Sequence, residues 1–111
     1  MTLDLIKKMN QLPAADGFLA LPDENLADYK TAKYVIQQVP YEHTSSYLEG
    51  SAKGPAAIVS ASHFVEFYDE ELDMESYRSG GIVTMEEMDF TSKVDEEAMV
   101  LIDEETSKHI N

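Results

Sequence analysis

The stretch VPYEHTSSYLEGSAKGP, beginning at Val39, gathers side chains suited to binding a charged molecule. Tyr41 and Tyr47 offer aromatic faces to a cation, Glu42 and Glu49 offer negative charge, and His43, Thr44, Ser45 and Ser46 add hydrogen-bonding groups. Acid–base machinery is less evident. His43 lies on this stretch, but no partner carboxylate is fixed by spacing. His63, beside Phe64, reads as a partly buried packing residue, and His109 reads as a cation favouring the negative end of a helix. The acidic run from Asp69 to Glu75 lacks the alternating ligands and central glycine of a calcium loop and reads as a solvated helix end. The chain has no cysteine, which excludes disulfides, thiolate metal sites and cysteine nucleophiles, so any metal would use His, Asp or Glu.

Charge narrows the partners. Across 111 residues, 8 Lys and Arg against 22 Asp and Glu leave a net charge of −14. Such a surface repels nucleic-acid phosphates and draws in small cations, although it also serves simple solubility. No apolar run reaches membrane-spanning length, and the N-terminal MTLDLIKKMNQLP lacks the continuous apolar core of a signal peptide. The expectation is a cytoplasmic protein with neither nucleic-acid nor membrane partners.

The elements that would position these side chains follow from periodicity. Leu3, Ile6 and Met9 share one face of a short helix, an N-terminal arm. The next stretch, with Pro13, Gly17 and Pro22, reads as irregular surface packed down by Phe18, Leu19 and Leu21. Tyr34 to Val39, stopped by Pro40, has the β-branched and aromatic content of a strand, weakened by Gln37 and Gln38. Gly54-Pro55 opens a helix expected to run to about Tyr68, with Ile58, Ala61, Val65 and Tyr68 as its buried stripe. The acids from Asp69 disfavour a helix C-terminus, so a break or a second short helix is expected before Ser79-Gly80-Gly81. Phe64, Phe67 and Tyr68 read as core or subunit contacts. Ile82 to Thr84 is a second strand, and a last helix carries Val94, Ala98, Leu101 and Ile102 on one face.

Strand, helix, strand, helix implies an α/β chain with a mainly parallel sheet. Two such strands cannot bury themselves, because a parallel strand needs neighbours on both sides and helices on both faces. The expectation is the first portion of a larger fold, with residues 1–33 as arm and irregular segment and residues 34–111 as its first strand–helix–strand–helix part.

VPYEHTSSYLEGSAKGPAAIVSAS, EFYDEEL and GGIVT, in that order, resemble the N-terminal region of the agmatinase branch of the ureohydrolases, the arginase-like superfamily. The likeness is detailed from Tyr34 to Thr84 and looser up to Asn111. It implies an arginase-like three-layer αβα fold, incomplete in this chain, and an enzyme of polyamine biosynthesis. That enzyme would hydrolyse agmatine to putrescine and urea with two manganese ions, as a homo-oligomer.

The resemblance also marks what this sequence lacks. The family's ligands come from a histidine after a Gly-Gly turn, an Asp-Ala-His-x-Asp segment and a Ser-x-Asp-x-Asp segment. None occurs here, and Gly80-Gly81 is followed by Ile82 and Val83. No residue is therefore assigned as catalytic or as a metal ligand, and the chain alone is expected to be inactive and to bind no manganese. In open α/β sheets ligands bind beyond the carboxyl ends of strands. Tyr41, Glu42, His43, Thr44, Ser45, Ser46 and Tyr47 would then line the entrance for a small cationic guanidino substrate. The other reading of this loop is a surface connection ordered by its own hydrogen bonds. Two alternatives for the whole chain stay open: a non-catalytic acidic α/β interaction module, and a ureohydrolase acting on another guanidino or formimino substrate.

Overall fold

A computed structural model describes residues 10–42 and 50–110. The expected N-terminal arm, with Leu3, Ile6 and Met9, lies outside them. Strand β1 (Tyr34–Ile36) and strand β4 (Ile82–Thr84) pair in parallel, with Tyr34 opposite Ile82, Val35 opposite Val83 and Ile36 opposite Thr84. Short runs rich in β-branched residues suit a pleated, half-buried surface: β4 buries Val83 and Thr84, while Val35 and Ile36 of β1 are half-buried. Val83 is fully buried and Met85 nearly so.

The first strand ends three residues earlier than its sequence suggests. Past Ile36 the ladder gives way to side-chain amides: Gln38 Nε2 donates to the Met85 carbonyl at 2.8 Å and Gln37 Nε2 to the Glu86 carbonyl at 3.4 Å. Glutamine amides, that of Gln38 buried, compete with the backbone for the same partners. On the far side of β4, Leu12 N donates to the Thr84 carbonyl at 2.8 Å and Glu86 N to the Asn10 carbonyl at 2.7 Å, so the segment around Gln11 covers that edge.

Between Pro13 and Asp28 the chain makes three short turns, Ala14–Asp16, Phe18–Ala20 and Glu24–Ala27. The Asp23 carboxylate caps the last by accepting from Asn25 N at 2.9 Å. Ala14, Leu21 and Ala27 form a small core with Tyr77, against which Leu19, Leu26, Phe67 and Ile82 pack. Of the three residues expected to pin this stretch down, Leu21 is buried while Phe18 and Leu19 are half-buried.

Helix α1 (Gly54–Ser62) begins at the Gly-Pro pair as expected, with proline where its missing N–H costs nothing. It stops at Ser62, not near Tyr68. Three successive tight turns, from His63 N to the Ser60 carbonyl through Val65 N to the Ser62 carbonyl, unwind it. The buried face also differs from the expected stripe. Val59 and Ser62 are buried, whereas Ile58 is 63% exposed, Val65 57% and Tyr68 49%, and Ala61 is exposed. The run GPAAIVSAS is apolar nearly all round, so periodicity cannot choose between neighbouring faces. A hydrogen bond chooses instead: Ser62 Oγ accepts from Leu19 N at 2.8 Å and donates to the Val59 carbonyl at 2.6 Å.

The acidic run is a hairpin rather than a helix end. Strands β2 (Tyr68–Asp69) and β3 (Met74–Glu75) are antiparallel, and the Asp69 carboxylate accepts from Glu71 N and Leu72 N across the turn. Aspartate takes this role because its short side chain mimics a backbone turn. The turn Ser76–Ser79 follows and buries Tyr77, whose ring meets Phe67 at 5.1 Å. Phe64, grouped with Phe67 as a core or subunit contact, is 88% exposed. Helix α2 (Asp95–Ser107) carries Asp95, Glu96 and Glu97 in its first turn, where the helix dipole favours them. Ala98 is fully buried and Leu101 and Ile102 are half-buried, while Val94, at the cap, is exposed. Among the described residues no helix is long and apolar enough to cross a membrane.

Candidate functional site

Both parallel strands deliver their following residues to the same end of the sheet. After β1 come Gln37, Gln38, Tyr41 and Glu42; after β4 come Met85, Glu86, Glu87 and Asp89. A cleft of about 200 Å³ lies there, lined by Gln37, Glu86, Glu87, Asp89 and, from α2, Glu105. Four carboxylates around one cleft at the carboxyl ends of parallel strands favour a cationic occupant. Hydrogen bonds from the Thr91 hydroxyl and from Thr91 N at 2.9 Å hold the exposed Asp89 carboxyl below its ordinary range, so it stays ionised into acid.

The wall between β1 and α2 is braced by His109. Its Nδ1 lies 2.9 Å from the Tyr29 hydroxyl and its Nε2 2.9 Å from Gln37 Oε1. Gln37 Oε1 can only accept, so Nε2 carries the proton, and the Gln37 amide nitrogen is left to face the Glu86 carbonyl. His109, at the C-terminal end of α2, thus cross-links Tyr29 to Gln37. His63 is exposed, not packed into the core, and its Nε2 lies 2.9 Å from the Gly17 carbonyl.

The residues singled out between Tyr41 and Tyr47 divide. His43, Thr44, Ser45, Ser46 and Tyr47 lie outside the described residues, as does Glu49. The Tyr41 hydroxyl accepts from Asp95 N at 2.9 Å, at the start of α2, and its ring meets Phe90 at 5.2 Å. The Glu42 carboxylate accepts from Gly50 N at 2.6 Å and Ala52 N at 3.3 Å, joining the two ends of the loop just ahead of α1. Both residues therefore hold the base of the loop. Replacing Glu42 by alanine should remove two charge-assisted hydrogen bonds and lower stability by about 1–2 kcal/mol, read as a drop of several degrees in a thermal melt.

Sequence reasoning missed Gln37, Glu86, Asp89 and Glu105. One signal was available: TMEEMDF follows the second strand as YEHTSSY follows the first, and the same end-of-strand rule applies to both. Among the described residues no three His, Asp or Glu side chains converge to hold a metal ion. The described residues do not fit a manganese pair.

The chain is similar to several curated proteins. An N(1)-aminopropylagmatine ureohydrolase of Synechocystis sp. (strain ATCC 27184 / PCC 6803 / Kazusa) is 41% identical over 64 residues, 58% of this chain and 21% of the relative. Proteins of the same name from two strains of Thermus thermophilus are 36% identical over 87 residues and 34% over 82, covering 78% and 74% of this chain and 29% and 28% of the relatives. The chain therefore spans between 21% and 29% of the length of these curated relatives. No family model matches it, and no solved structure does.

Proposed function

Proceeding from a chain whose sequence is similar to the agmatinase-like ureohydrolases, we propose that it forms the N-terminal part of an enzyme releasing urea from a cationic guanidino substrate. Its αβ pair would be the beginning of an arginase-like three-layer fold, with residues 34–111 contributing the first strand–helix–strand–helix part. The observation that carries this reading is the shared sequence with three ureohydrolases of one name. In the hydrolysis, water adds to the guanidinium carbon and the bond to the alkyl nitrogen breaks. The freed amine takes up a proton, and urea keeps the other two nitrogens. Agmatine would yield putrescine. The relatives' shared name favours the aminopropyl-extended substrate, which has a further amine, and the acidic cleft suits the longer polycation.

Tyr41 to Tyr47 would line the entrance, with Glu42 fixing the loop base and Tyr47 offering cation–π contact. The two manganese ions of this chemistry would be held by ligands outside this segment. A cytoplasmic homo-oligomer in polyamine biosynthesis fits this reading.

The test exchanges parts. A chimera in which this chain replaces the stretch it matches in the Synechocystis relative should release urea from N(1)-aminopropylagmatine, and more slowly from agmatine. The 111-residue chain alone should release none above a metal-only control. Urea from the isolated chain would overturn the division of labour, and a folded but inactive chimera would favour the interaction-module reading.

A further inference from the structure

The cleft at the strand ends continues onto α2. A second hollow, of about 410 Å³, shares Leu101 with it and is lined by Glu96, Glu97, Val100 and Glu104. These positions recur at helical spacing, so they form one stripe of α2, apolar at Val100 and Leu101 and acidic on either side. Val100 is 55% exposed, and an apolar strip rimmed by charge marks a place where another segment packs. Seven carboxylates line the two hollows against one ammonium, that of Lys93.

We infer that this groove is the docking site of the chain's own residues 1–9, with Lys7 and Lys8 among the carboxylates and Leu3 and Ile6 against Val100 and Leu101. Attachment, charge and length support it. Asn10 itself lines the cleft, held there by Glu86 N donating to its carbonyl at 2.7 Å. A chain spans at most about 3.6 Å per residue, so the backbone of Lys8 and Lys7 can be no further than ~7 and ~11 Å from Asn10. MTLDLIKKM holds the one adjacent pair of cations in a sequence of net charge −14, and the groove holds the opposite charge. Leu3, Ile6 and Met9 recur every third residue and supply an apolar face to match the stripe. Nine residues span about 14 Å as a helix and ~30 Å extended, comparable with the roughly 20 Å of α2. Exposed ion pairs alone are weak, so the apolar contact must fix the position. The inference stands apart from the function proposed above, and a polycation entering the cleft would displace the two lysines.

The experiment treats the full 111-residue chain with a water-soluble carbodiimide, which joins lysines to nearby carboxylates, and maps the links by mass spectrometry. Within single molecules, Lys7 or Lys8 should link to the acids of the groove at least about five times as often as to the hairpin acids from Asp69 to Glu75, and about tenfold dilution should leave that yield unchanged. Ile6→Asn keeps every charge and should cut the links to Glu96, Glu97 and Glu104 by about fivefold, because it removes apolar contact. Val100→Asn, at an exposed site, should do the same from the groove side, and it decides alone if Ile6→Asn unfolds the chain. Links spread evenly over groove and hairpin acids, links formed only between two molecules, or no links at all would each overturn the inference. An unchanged yield in the asparagine variants would overturn it too, since a tether without docking leaves the links in place.

Discussion

Replacing Gly81 by alanine should cost about 3 kcal/mol and lower the melting temperature by ~10 °C or more. Gly81 enters β4 at φ +73°, a conformation that L side chains adopt at a cost of roughly 1–2 kcal/mol. Space makes it worse. A Cβ there would lie 2.6 Å from the Leu26 carbonyl oxygen and 3.2 Å from its carbon, both backbone atoms of the turn that packs on β4. Neither can swing aside as a side chain would. Gly54→Ala is the contrast, since Gly54 has a negative φ and a Cβ there meets nothing within 4 Å beyond its chain neighbours. That change should cost no more than about 1 kcal/mol, the penalty coming from Pro55, which disfavours helical angles in a preceding residue that carries a Cβ. Circular-dichroism melts of the two variants check the contrast, and equal melting temperatures would refute the packing of Gly81 against Leu26.

Val83→Asp should leave the chain unfolded at 25 °C. Val83 is the centre of β4 with no exposed surface, and an aspartate there would be a buried charge with no partner, a loss of about 4 kcal/mol or more. A domain this small has little more than that in hand, since ordinary stabilities begin near ~5 kcal/mol. Ile58→Asp should change stability by no more than about 0.5 kcal/mol, because Ile58 is 63% exposed on α1. The apolar spacing of the helix argues for the opposite result at Ile58, so this variant separates sequence periodicity from packing. A far-ultraviolet circular-dichroism spectrum without denaturant checks the first, and a urea-denaturation midpoint the second.

Local chemistry decided a definable share of this protein. The β-branched content of Tyr34 to Ile36 and Ile82 to Thr84 announces two strands, and the helical segment between them requires a crossover, which makes the pair parallel. Gly54-Pro55 announces the start of α1 because proline is indifferent to a donor that has no partner in the first turn. The motifs from Tyr34 to Thr84 resemble those of the ureohydrolases, and three ureohydrolases match part of the chain at 34–41% identity. Each of these signals is confined to a few neighbouring residues.

Only the tertiary structure decided which faces and ends these elements use. The buried side of α1 is set by Ser62 bonding to Leu19, residues 43 apart, and a helix apolar all round holds no trace of that choice. The hairpin at Asp69 replaces a helix end because one carboxylate can cap a turn as readily as it can repel a dipole. The acidic cleft joins Gln37, Glu86, Asp89 and Glu105 through packing, and the Tyr29–His109 bond spans 80 residues. Such contacts depend on where the whole chain closes on itself. Spacing along the sequence records that only when the partners lie within a turn of one another.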